Sequence, residues 1–449
     1  MPAARRLATL RAVASVAVVG GGFRGMAVAA RLAKLGHDVV VFEPDTELGG
    51  SLRPVRHEDY IWDAGPTTLT LPAVIRDLFR KSGRPLERVL ELRPVRPGRR
   101  HVFADRSVLD LPMGTRIEQV DALTAAFDGR AADVWSGYVD QLAPVWDVVR
   151  RRTLENPFEG RHAIEAAEWK TLQVRRSLHR ALNRASRSMA RDERLSALLL
   201  DRHRLAGQDP RALPALFGTV EYVERTFGRW RVVGGLHALA MALAHRLEER
   251  GVDVRTETAV EDLVVRDGRP RGVTLADGVM VPARIVVWAA PRRPQALGAG
   301  TSLPPAIPAA RTYLGLRGPV PSLPAETFVH GSPLAIVRTG GTAPQGRHAW
   351  SVEHHLGSED ILVSLARQGI DVRHLVVTRI DRSPSEIVGD RGESPAGVAW
   401  SGWRTAFRRD RPQTPIAGLF RLGPDVHPGP GLILGGLGAA QVATVVGKA

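Results

Sequence analysis

Gly20, Gly22, Gly25 and Glu43 have the types and spacing needed to hold a dinucleotide. In a GxGxxG pattern the first glycine permits a tight turn and the second lets a pyrophosphate approach the backbone. The third lets the next helix pack closely on a strand. An acidic residue at about this distance after the glycines accepts hydrogen bonds from an adenosine ribose. The elements that must position these residues are legible around them. The apolar run 16–19 reads as a buried parallel strand and 26–35 as the following helix, with Gly36 as its stop. Residues 38–42 read as a second buried strand that delivers Glu43 at its C-terminal end. Glycines alone are a weak signal. Strand, glycines, helix, strand and terminal glutamate together specify a nucleotide fold, though they leave the nucleotide open.

The bulk properties narrow the chemistry. At 449 residues and 44% apolar content, the chain has room for two or three domains with a large core. It contains no cysteine, which excludes disulfides, iron–sulfur clusters, thiolate zinc and a cysteinyl-linked cofactor. The net charge is +15, with only four lysines among 62 basic residues. The basic residues are dispersed and no nucleic-acid motif appears, so an anionic membrane surface is a better candidate partner than nucleic acid. The N-terminal "MPAARRLATLRAVASVAVV" has the look of a signal peptide, but its apolar part is the first strand and no cleavage-like segment separates the two. The weakly polar "GPGLILGGLGAAQVATVVG" near the C-terminus is glycine-rich and short for a bilayer span, and reads as a buried helix. These features point to a cytoplasmic protein that can touch a membrane peripherally.

Along the chain, glycine corners at Gly49-Gly50 and Gly65-Pro66 flank one expected hairpin, and 99–112 alternates as a second. From Thr115 to about Arg204 the pattern is helical, and 231–290 returns to alternating helix and strands. Strand-like runs follow between 311 and 381, and the chain ends as strand, glycine-rich loop and helix. There is no internal repeat and no second GxGxxG, so no separate nicotinamide domain is visible.

Five ordered blocks resemble the phytoene (carotenoid) desaturase family of FAD-dependent oxidoreductases, relatives of the amine oxidases and the Rab GDP-dissociation inhibitors. These are "VAVVGGGFRGMAVAARLAKLGHDVVVFEPDTELGG", "YIWDAGPTTLTLP", "FADRSVLDLP", "DPRALPALFGTVEYVERTFGRWRVVGGLHALAMAL" and "LFRLGPDVHPGPG". Residues 115–200 are the weakest part of the match. The resemblance implies an α/β protein with a Rossmann-like FAD-binding domain assembled from discontinuous segments, 14–75, 231–295 and 411–449. A mixed-sheet and helical substrate domain would be built from 76–230 and 296–410. It also implies tightly bound FAD, held by both ends of the chain.

Carried over residue by residue, Gly20, Gly22 and Gly25, with Phe23 between them, would face the pyrophosphate, and Glu43 the adenosine ribose. Val260 matches the position whose backbone meets the adenine. Gly50 and Gly65 would allow close approach of backbone to the extended cofactor. Gly423 and Asp425 would meet the ribityl chain and flavin, with the helix near Leu432 aiming its positive end at the ring. Two departures stand out. Related sequences often carry an arginine after the Gly-Gly pair, where it neutralises pyrophosphate, and this chain has Ser51, with Arg53 and Arg56 as nearby substitutes. The proline that usually precedes the central Gly-Gly is Val233.

Flavin desaturation needs hydride transfer to the ring in a water-excluding site, an apolar channel and at most one proton acceptor. His427 is the candidate titratable group near the flavin; a loop histidine that fixes the turn is the alternative. His354-His355 tempts as a metal pair, but neighbours on a strand point to opposite faces, so a solvated strand is expected and no metal site. Trp62, Trp400 and Trp403 are candidates to line a substrate cavity, whereas Trp288 belongs to an apolar strand. Residues 169–191 contain no acid, and Arg176, Arg180, Arg184, Arg187 and Arg191 would form one stripe opposite Leu178, Leu182, Ala185 and Met189. That is a basic amphipathic helix, either resting on anionic lipid or solvated as an ordinary surface helix. The expected function is desaturation of a hydrophobic, isoprenoid or carotenoid-type small molecule, with electrons passing to oxygen or a quinone. An amine oxidase-like enzyme, a natural-product tailoring flavoenzyme and a non-catalytic prenyl-binding protein are the rivals.

Overall fold

The computed structural model describes residues 15–173, 176–185, 192–298, 300 and 303–449. Its first layer is a five-stranded parallel sheet in the order Leu419–Arg421, Ile285–Trp288, Ser15–Val19, Asp38–Phe42, Asp253–Arg255. The strands come from widely separated parts of the chain, as the resemblance implied. The strand 15–19 is apolar from Val16 on because both its faces are covered. Val16 and Val18 pack against Met26, Leu32 and the helices Leu236–Glu249 and Leu432–Val446. Ala17 and Val19 pack the other way, against Leu263, Val273 and Leu275 of a three-stranded antiparallel sheet (Val260–Arg266, Arg269–Leu275, Met280–Pro282). Apolar runs without alternation are what two-sided burial requires.

The helix after the glycines spans Phe23–Lys34 and begins three residues before the apolar periodicity does. Its first turn is formed by the glycine loop itself, which hydrophobic periodicity does not register. The C-terminal helix is buried at Gly435, Gly436, Gly438, Ala439 and Val442, and these small residues let it lie against helix 23–34. Among the described residues no helix is long and apolar enough to cross a membrane.

A seven-stranded mixed sheet forms the second body, with Ala335–Thr339 at its centre, Arg347–His354 and then Ala310–Arg317 to one side of it, and the hairpin Arg99–Val102/Val108–Leu111 at one edge. Helices between Arg116 and Phe227 cover part of this sheet, around a core of Trp135, Tyr138, Leu198 and Leu199. Two expectations are corrected here. His354 is buried, not solvated: its ring meets Thr312 Oγ1 at 3.2 Å and the His355 carbonyl at 2.9 Å, and the His355 ring meets the Arg204 carbonyl. The Thr312 hydroxyl on the neighbouring strand and the Arg204 carbonyl at the end of helix Glu193–Leu205 are what this strand end meets. The segment 169–191 is also not one helix. Helix Ala166–Leu172 ends at Gln173 in the left-handed region (φ 48°), and a second helix runs Leu178–Ala185. Arg176 therefore precedes the helix instead of starting a stripe on it. Leu178 and Leu182 do face inward, whereas Arg187, Met189 and Arg191 lie outside the described residues.

Candidate cofactor site

The strands 15–19, 38–42, 285–288 and 419–421 end at one edge of the parallel sheet, where ligands of open α/β folds bind. Gly20 turns there with φ 102°, its N–H donating to the Phe42 carbonyl at 2.8 Å. A Cβ on Gly25 would sit 1.9 Å from the Gly20 carbonyl oxygen, so helix 23–34 can approach the strand only through glycine. Gly22 pairs with Gly49, and the Gly49 N–H donates to the Gly21 carbonyl at 2.9 Å. The Gly49-Gly50 corner is thus docked on the GxG loop, where a Cβ on Gly50 would be 3.0 Å from Gly22 Cα.

Glu43 leaves the end of its strand and accepts from the Gly21 N–H at 2.7 Å and the Asp45 N–H at 3.2 Å. Burial raises its pKa despite these two donors. Each carboxylate oxygen keeps a further lone pair for a ribose hydroxyl. The Thr258 N–H donates to the Glu43 carbonyl at 2.9 Å, which brings the start of strand 260–266, and so Val260, to the same edge. Gly423 follows directly where the Leu422 N–H donates to the Trp288 carbonyl. Asp425 Oδ2 accepts from Arg421 at 3.1 Å, while its Oδ1 is buried without a partner. Gly65 lies beside open space. The Phe23 side chain is a core residue whose ring lies beside Gly436, and Ser51 is exposed in the turn Gly50–Leu52.

Both helices that begin at this edge lack a side-chain N-cap and an acidic first turn. Helix 23–34 is capped by Gly22 and helix 432–446 by Gly431, at φ 92°. Their first N–H groups and positive dipole ends therefore remain available to an anionic ligand.

His427 is placed by its surroundings. Its Nε2–H donates to the Thr153 carbonyl at 2.7 Å, its ring lies 5.1 Å from Phe158, and burial pushes its pKa down to about 4. It is neutral at pH 7 and ties the glycine-rich turn to the helical region. A band of aromatic rings starts there: Phe158, Phe407, Trp169 and Trp403 follow one another at 5.6–6.1 Å. Trp403 belongs to this band and Trp400 stacks edge-on against Phe217, whereas Trp62 and Trp288 are buried in cores. An open cavity of about 1480 Å³ is elsewhere, and its border mixes charged residues (Asp105, Asp201, Arg204) with apolar ones (Phe103, Leu334, Leu356), so it is not the apolar channel expected.

Sequence reasoning missed three groups. Glu393, in the loop before Ser394, has its pKa pushed up to about 7 by burial and then by the charge of Asp425. Arg409 donates to the Val426 carbonyl at 2.7 Å and the Asp425 carbonyl at 3.3 Å, holding the turn from beneath. Arg24 occupies the variable position just before Gly25. Only the last had a signal, a charged residue inside the glycine motif.

Residues 25–313 match the family described as flavin containing amine oxidoreductase. The chain belongs to that family. Among curated proteins it is 33% identical over 279 residues to a hydroxyneurosporene desaturase of Cereibacter sphaeroides, covering 62% of this chain and 56% of that one. It is 32% identical over 286 residues to a zeta-carotene-forming phytoene desaturase of Myxococcus xanthus, covering 61% and 52%. The chain thus spans about half the length of these curated relatives. A redesigned putrescine oxidase shares the fold at TM-score 0.66 and 17% identity, over 96% of this chain and 98% of that one. The cofactor of this flavin containing amine oxidoreductase is FAD. The residues present fit it. Two glycine-capped helix ends are left open to a ligand, and the buried Asp425 Oδ1 has no partner and could accept from a hydroxyl.

Proposed function

We propose that the chain is an FAD-dependent desaturase of a hydrophobic, isoprenoid or carotenoid-type molecule. We place it in the cytoplasm, in peripheral contact with a membrane from which such a substrate comes. The division into cofactor segments 14–75, 231–295 and 411–449 and substrate segments between them belongs to the same reading. The desaturase names of the two curated relatives favour the substrate class. The observation that carries the proposal is the aromatic band that leads from Trp169 through Trp403, Phe407 and Phe158 to His427. It brings an apolar wall to the turn just before helix 432–446, where the flavin ring is expected.

Bound FAD supplies the hydride acceptor, with its electrons passing on to oxygen or a quinone. The chain's own groups do the rest. Gly22 and Gly25 offer backbone N–H groups to the pyrophosphate, Glu43 holds the ribose, and Asp425 orients the ribityl chain through Oδ1. The aromatic band excludes water and lays an apolar substrate along it. Glu393, its pKa pushed up to about 7 by burial, would hold the proton that leaves the neighbouring carbon.

The test begins with the visible spectrum of the purified protein and identification of the chromophore it releases on denaturation. A yellow protein that releases FAD and is bleached anaerobically by a linear polyene, but not by putrescine, supports the proposal. Bleaching by amines alone would move the chain to the amine-oxidising branch. A folded, colourless protein that refuses added FAD would leave a non-catalytic prenyl-binding role.

A further inference from the structure

Arg24 stands in the first turn of helix 23–34, and its side chain crosses from the start of that helix to the start of helix 432–446. Its Nη2 donates to the Gly429 carbonyl at 3.2 Å, and its stem lies on Gly435, where a Cβ would be 3.0 Å from Arg24 Cγ. A cation so placed faces the positive ends of two helix dipoles, the least favourable position for it on either helix. Among the described residues no carboxylate lies within ion-pair distance of it. Glu393 and Asp425 oppose the cost of burying Arg24 only from further away, and Asp425 is already engaged by Arg421.

Three positive features converge on one point with no anion among them. We propose that Arg24 is the cation that binds the pyrophosphate of the cofactor, doing the work left undone by Ser51. This rests on the reading of the chain as an FAD enzyme. The two substitutes named from the sequence are less well placed. Arg53 is paired with Asp45, and Arg56 is exposed on the hairpin strand Pro54–His57. Arg421 is engaged by Asp410 and Asp425, Arg293 by Asp410, and Arg409 by three carbonyls of the 425–428 turn. A doubly charged pyrophosphate at the start of helix 23–34 would satisfy the guanidinium and that helix end at once, and a guanidinium matches its oxygens in a bidentate fork.

Apo-protein titrated with FAD, followed by quenching of flavin fluorescence, tests this in the wild type, Arg24→Gly, Arg24→Gln and the double variant Arg24→Gly/Ser51→Arg. Riboflavin, which has no phosphate, serves as the control ligand. The expected result is a loss of FAD affinity of about tenfold or more in both single variants. Riboflavin binding should be unchanged, the salt dependence of FAD binding should shrink, and the double variant should recover part of the loss. Equal or tighter FAD binding by folded Arg24→Gly or Arg24→Gln overturns the proposal, since the arginine would then only fill space the cofactor needs. A wild-type protein that binds no FAD overturns the enzyme reading itself, a different result seen before any variant is made.

Discussion

Glu393 and Asp425 are two carboxyl groups of one site with different surroundings. Asp425 keeps an arginine partner at 3.1 Å, whereas Glu393 has burial and the like charge of Asp425 against it. A carboxyl whose folded pKa is raised to about 7 contributes stability below its unfolded value, and that contribution is lost as pH rises through about 7. Between pH 5 and pH 8 the wild type should therefore lose on the order of 2 kcal/mol of stability relative to Glu393→Gln. Urea denaturation of both proteins across that range checks it. Parallel curves would place the Glu393 carboxyl in water. Its neighbours in this titration are Arg24, Arg391 and Arg421, which oppose the shift without cancelling it.

The elements of the second body are joined by buried charge. Helices Glu193–Leu205 and Thr219–Phe227 supply Arg202, Glu221 and Glu224, and the sheet supplies Arg99, Glu326 and Arg338, with Arg229 between them. Arg99 and Arg229 each meet Glu326 at 2.6 Å. Burial works against the Glu326 charge, yet Arg229, Arg99 and Arg338 overcome it and hold its pKa at about 2. A network of this kind is costly to break from one side, because the remaining guanidinium groups stay buried without a partner. Glu326→Ala should cost about 3–5 kcal/mol, read as a lowered denaturation midpoint. A loss below about 1 kcal/mol would mean that water reaches these arginines. The same elements explain what happened to the arginine-rich segment. The break at Gln173 divides the one helix expected over 169–191 and leaves Arg176 between its two pieces, while Leu178 and Leu182 still turn inward to the helical core.

At the scale of the whole molecule, the cofactor edge is assembled from both ends of the chain. Strand 15–19 pairs with 285–288, which pairs with 419–421, so the glycine loop and the last helix depend on each other. A ligand held across that edge binds the folded chain and not the unfolded one. FAD at about a hundredfold its dissociation constant should add about 2.7 kcal/mol to stability, seen as a rise in melting temperature of the apo-protein on adding FAD. FMN, which lacks the adenosine that Glu43 and Val260 would hold, should give a smaller rise. Equal shifts would argue that the adenosine half of the site is unused.

The sequence by itself determined whatever depends on neighbours along the chain. The glycine spacing, the buried strands 15–19 and 38–42, the placement of Glu43, the hairpins and the final strand, loop and helix follow from local sterics and from apolar runs that only two-sided burial explains. Desolvation and long-range pairing belonged to the tertiary structure. Arg99 and Glu326 are 227 positions apart, and nothing in either stretch announces the other. Glu393 titrates near neutrality, and the ring of His427 stays neutral, because of what packs against them. Arg24 stands out in the sequence only as a charge inside the glycine motif, until two helix ends are seen around it with no carboxylate partner among the described residues. Charge acquires its meaning from the dielectric and the partners that folding brings, and those are properties of the assembled edge.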